Sequence, residues 1–87
     1  MKVLTIKNIQ RKDVPIYYRQ FYTGIAAIDL NKGATDYRIE FSTEIKPTGQ
    51  MVISVSFLDT LDYPLVPVVQ ELKKIIDTMH SNGLLPD

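Results

Sequence analysis

From Asp36 to Phe57 the chain reads DYRIEFSTEI, then KPTGQ, then MVISVSF. In the first run Tyr37, Ile39, Phe41, Thr43 and Ile45 alternate with Asp36, Arg38, Glu40, Ser42 and Glu44. In the second, Met51, Ile53, Val55 and Phe57 alternate with Val52, Ser54, Ser56 and Leu58. Side chains of a strand point alternately to its two faces, so a period of two with apolar residues on one side marks a sheet with one dry and one wet face. Lys46-Pro47-Thr48-Gly49 between the runs supplies turn residues, and the two strands form an antiparallel hairpin.

The dry face of that hairpin needs a cover, and the C-terminal segment provides one. Leu65, Val68, Val69, Leu72, Ile75, Ile76 and Met79 recur at spacings of three and four, with Gln70, Glu71, Lys73, Lys74 and Asp77 on the other side. This is an amphipathic helix. Pro64 and Pro67 fit only in or before its first turn, Asn82-Gly83 is a stop, and Leu84 is placed to fold back as the apolar contact of a left-handed cap. Asp59, Thr60 and Asp62 have the residue types of turn and capping positions at the strand-to-helix loop.

Upstream, Lys2 to Ile9 reads as a short strand leading into the turn Gln10-Arg11-Lys12-Asp13. The run from Val14 to Leu30 is rich in aromatic and β-branched residues, with Gly24 as its one internal breaker. As one straight strand it would reach roughly 55 Å, whereas a globule of this length has a radius of gyration of about 12 Å. The run must bend or break, with Thr23-Gly24 the expected place, or project as an arm. Asn31-Lys32-Gly33-Ala34 closes it with turn chemistry. The expected architecture is α+β: an antiparallel sheet of four to five strands in meander-like order, with one C-terminal helix on one face. A length of 87 residues and 45% apolar content suit one domain over residues 1–87. A domain this small has a thin margin of stability, which self-association would raise.

Ten basic and ten acidic residues cancel, so the whole chain offers no strong field of either sign. The N-terminal portion is nevertheless basic: Lys2, Lys7, Arg11, Lys12 and Arg19 stand against Asp13 between residues 1 and 20. There is no cysteine, which removes disulfides, thiolate metal sites and cysteine nucleophiles and fits a cytoplasmic setting. No apolar stretch approaches the roughly 18 residues of a membrane span, and no signal-peptide pattern opens the chain.

Catalytic constellations are sparse. The one histidine, His80, falls in the last helical turn, where a cation is favoured by the helix dipole. Asp59 and Asp62 are a close carboxylate pair without metal-loop spacing, and no glycine-rich phosphate loop occurs. The expectation is a non-enzymatic chain without cofactor or metal. The informative segment is Ile16 to Ile25. If even-numbered Ile16, Tyr18, Tyr22, Ala26, Ile28 and Leu30 face the helix, the odd face still carries Tyr17, Phe21, Ile25 and Ala27. One helix cannot cover both faces of a sheet. Three partners compete for the second apolar face. A second copy of the chain, with a two-fold dimer favoured, would use Tyr17, Arg19, Phe21 and Ile25. Nucleic acid would stack on the aromatics and meet Arg11, Lys12 and Arg19. A small ligand or peptide would occupy a tyrosine-lined groove or sheet edge. Self-association is the expected function.

Overall fold

A computed structural model describes residues 1–86. Four strands, β1 (Lys2–Lys12), β2 (Arg19–Asp29), β3 (Ala34–Ile45) and β4 (Met51–Phe57), precede one helix, α1 (Leu65–Ser81). All neighbours pair antiparallel in the order β1-β2-β3-β4, so the sheet is a meander with β1 and β4 as its edges.

The alternation read in the sequence fixes which face is dry. Tyr22 lies opposite Phe41, and Phe41 opposite Val55. The Tyr22 and Phe41 rings stack at 4.9 Å. Against this face α1 buries Val68, Leu72 and Ile76, closing a core with Ile6, Ala26, Ile28 and Ile39. Ile53, Val55 and Ile75 pack at its margin and are half-buried. Complete burial of a large aliphatic side chain contributes about 1.5–3 kcal/mol, so these rows hold the helix to the sheet.

Both ends of α1 depend on backbone chemistry. Pro64 is the N-cap residue, and no side chain caps the helix. The capping expected of Asp59, Thr60 and Asp62 is therefore corrected: Asp59 binds Arg38 instead. At the C-terminus Gly83 takes a φ of 68°. Its N–H donates to His80 and that of Leu84 to Met79, at 3.1 and 2.9 Å, the paired bonds of a Schellman cap. Leu84 itself remains exposed. Leu85 makes the apolar contact with the core.

Two further expectations are corrected. β1 continues through Gln10-Arg11-Lys12 rather than turning there. The run Val14–Leu30 breaks before Arg19, not at Thr23-Gly24. Two tight backbone bonds, Val14 N–H to Lys12 and Ile16 N–H to Val14, turn the chain over residues 13–18, and Pro15 between them has no N–H to offer a ladder. Gly24 stays inside β2 for a packing reason. A Cβ there would stand 3.2 Å from Ile6 Cγ2 and 3.5 Å from Ile9 Cγ1, so its absence lets β1 side chains cross the strand. β1 adapts with register shifts between Val3 and Thr5 and between Lys7 and Gln10, and Asn8 takes a φ of 53°.

Candidate functional site

The face of the sheet opposite α1 has no helix on it. Along β2 it carries Arg19, Phe21, Thr23, Ile25 and Ala27, flanked by Lys12 and Lys7 of β1 and by Glu44, Ser42, Glu40, Arg38 and Asp36 of β3. Three ion pairs stitch it. Arg19 meets its cross-strand neighbour Glu44 at 2.6 Å. Lys12 reaches Glu40 at 3.3 Å and Lys7 reaches Asp36 at 2.9 Å, each linking β1 to β3 across the β2 between them. Long lysine stems cover apolar surface while their charged ends stay wet, which accounts for Phe21 and Ile25 being half-buried although no other element packs on them. A shallow depression of about 120 Å³ lies among Lys12, Phe21, Glu40, Ser42, Ser54 and Ser56.

A fourth clamp closes the end of β4. The Arg38 guanidinium holds the Asp59 carboxylate at 2.7 Å through Nη2, and the Arg38 backbone N–H donates to the same carboxylate at 2.8 Å. The side-chain hydrogen bond from Arg38, with the backbone bond second, holds the Asp59 carboxyl below its ordinary range. The same hydrogen bond raises Arg38.

The structure separates the residues singled out by the sequence. Arg19, Phe21 and Ile25 share the open face, with the Arg19 guanidinium carbon 5.9 Å from the centre of the Phe21 ring. Ile25 lies further along, beside Lys7 and Arg38. Tyr17 is outside β2 altogether, in the loop before it, and 94% exposed. It meets Tyr18 edge-to-face with ring centres 6.1 Å apart. Tyr18 in turn accepts a bond from the Ile45 N–H through its carbonyl at 3.3 Å, so Tyr17, Tyr18 and Ile45 gather at one end of the sheet.

Alternation assigns Tyr18 and Ile45 to the helix side, yet they are 56% and 50% exposed. The signal that finds them is length. A helix of 17 residues extends about 25 Å, whereas β3, with 12, extends about 40 Å. One helix cannot roof the whole dry face, and the end beyond it stays bare.

The basic residues do not converge. Arg11 pairs opposite Tyr22, on the helix side, and donates to Gln20 at 2.7 Å, while Lys12 and Arg19 lie on the open face, each engaged by a glutamate. His80 is exposed in the last turn of α1. Among the described residues no three His, Asp or Glu side chains gather as a metal site requires, and no helix is long and apolar enough to cross a membrane.

The model of the BB_0187 family matches residues 1–81, a span that takes in every strand and the helix, and the chain belongs to that family. No curated protein and no solved structure matches it.

Proposed function

We propose that this family member is a non-enzymatic cytoplasmic module that associates with itself through the aromatic end of its sheet. The observation carrying this reading is the exposed cluster of Tyr17, Tyr18 and Ile45 beside the Arg19 and Phe21 pair of the open face. Tyrosine and arginine bring large, rigid contact area to an interface and dominate binding energy where they are desolvated. A second copy suits the electrostatics. The cations Lys7, Lys12, Arg19 and Arg38 each have an acid partner on the same surface, so the face is neutral and repels no copy of itself. The same pairing weighs against nucleic acid, because phosphate binding draws on cations free to release counterions. The groups that would serve acid–base chemistry are engaged or remote: Asp59 is held by Arg38, and His80 stands on the last helical turn.

The double variant Tyr17→Ala/Tyr18→Ala tests the reading. Both side chains are exposed, so the fold should be retained within about 0.5 kcal/mol, while sedimentation velocity should show a loss of assembled mass. An unchanged mass for the folded double variant removes the aromatic end as an interface.

A further inference from the structure

We infer that the free edge of β4 pairs antiparallel with the β4 of a second copy, about a two-fold axis at Ser54, joining the two sheets into one. The inference rests on different residues from the aromatic-end reading and stands or falls separately.

The backbone shows which groups the edge offers. The Leu58 N–H donates to Arg38 and the Lys46 N–H to Gln50, at 2.9 Å each. In this register Val52, Ser54 and Ser56 face Glu44, Ser42 and Glu40. Hydrogen-bonded pairs alternate along an antiparallel ladder. The even-numbered residues of β4 therefore turn their N–H and C=O groups to β3, and Met51, Ile53, Val55 and Phe57 direct theirs outward, where no strand lies.

The side chains make that edge compatible with itself. Met51–Phe57 contains no charged residue and no proline, although charges and proline are what ordinarily keep an edge strand from pairing. Centred on Ser54, Met51 faces Phe57 of the second copy and Ile53 faces its Val55, all on the helix side of the joined sheet. Val52 faces Ser56 and Ser54 faces Ser54 on the other. Every outward backbone group then has a partner. Shifting the centre to Ile53 leaves Phe57 unpaired. Phe57 of the second copy also comes alongside the open groove of about 410 Å³ between β4 and α1, whose lining includes Met51, Ile53, Lys73 and Asp77. That groove gives the contact apolar area beyond the strand pairing, and a standard specific interface needs about 800 Å² per partner.

Because the chain has no cysteine, one introduced thiol reads the register directly. Ser54 and Ser56 are both exposed. At the axis, two Ser54 Cα atoms in a non-hydrogen-bonded pair lie about 4.5 Å apart, within disulfide reach. Two Ser56 positions are four residues out of register, roughly 13 Å apart. Under mild oxidation Ser54→Cys should convert to a covalent dimer and Ser56→Cys should not. Ser54→Lys, which opposes two ammonium groups at the axis, should weaken the contact at least about tenfold by sedimentation equilibrium. With both contacts present the assembly exceeds a dimer. Ser54→Lys then leaves the aromatic-end dimer, and Tyr17→Ala/Tyr18→Ala leaves the edge dimer. Equal crosslinking of the two cysteine variants, or a mass untouched by Ser54→Lys in folded protein, overturns the inference; the second result leaves the edge to an extended peptide or to nothing.

Discussion

The two edges of the sheet are built in opposite ways. β1 carries Lys2, Lys7, Arg11 and Lys12 within eleven residues, breaks register twice, and turns Asn8 into the left-handed region. Its hydrogen-bonding row is interrupted and its charges must be desolvated before another strand can lie beside it. β4 is a regular seven-residue strand with an unbroken register to β3 and no charge. A chain that guards one edge so thoroughly and leaves the other bare has an edge open for pairing. The difference also shows where charge does its work: the lysines of β1 protect the edge and, through Asp36 and Glu40, roof the open face.

Both edges hang from the same core, so the largest effect should come from cutting beneath them. Leu72 is fully buried, in a cluster with Ile6 of β1 and with Ile39 and Phe41 of β3, while Val55 of β4 packs at its margin. Leu72→Ala should lower stability by about 2–5 kcal/mol in urea unfolding, as one cooperative transition. A separate early transition of β4 alone would show that the bare edge belongs to a detachable flap and would break the comparison.

The hairpin of β3 and β4 and the helix are legible because period and structure coincide there. In Asp36–Ile45 the polar and apolar residues sort cleanly onto two faces, and one packed helix satisfies the dry one. The Schellman stop is legible from Asn82-Gly83, though Leu85 rather than Leu84 makes the apolar contact. Val14–Leu30 is not legible in the same way. Its second face is apolar because lysines from β1 lie across Phe21 and Ile25, a cover that depends on strand order. Gly24 reads as a breaker, whereas the close approach of Ile6 is what asks for it. Of the candidate site, Arg19 and Phe21 emerge from the sequence as neighbours. Tyr18 and Ile45 escape it because alternation assigns a face without saying how far the helix reaches.

A smaller effect sharpens the account of β1. Replacing Lys7 and Lys12 by methionine keeps the stems over β2 and removes the charges. Exposed ion pairs are worth about 0.2–1 kcal/mol each, so chemical denaturation should shift only slightly. The bulges remain, and no new association through β1 should appear in sedimentation. Oligomers that survive Ser54→Lys and Tyr17→Ala/Tyr18→Ala but depend on these methionines would mean that charge alone, not broken register, guards the edge.

The smallest effect lies where β4 ends. Arg38 binds the Asp59 carboxylate through its guanidinium and its backbone N–H, while its carbonyl accepts the Leu58 N–H, so one residue of β3 pins the exit of the bare strand. The Asp59 carboxyl lies below its ordinary value of 3.8 in the folded chain, chiefly through the guanidinium hydrogen bond. As pH falls, the unfolded chain takes up this proton first, so stability falls with pH in that window. The contribution is complete above 3.8 and disappears as pH drops through the lower folded value. Asp59 is exposed to solvent and the effect on unfolding should be slight, so the direct measurement is the titration of its carboxyl carbon by NMR. Arg38→Gln removes the guanidinium and keeps the backbone donor, and the midpoint should rise toward, without fully reaching, the ordinary value. An unchanged midpoint would show that the guanidinium contributes nothing to the clamp. A rise accompanied by freer amide exchange at Leu58 would show that the clamp, and not the strand pairing alone, keeps the end of β4 straight for a second copy to meet.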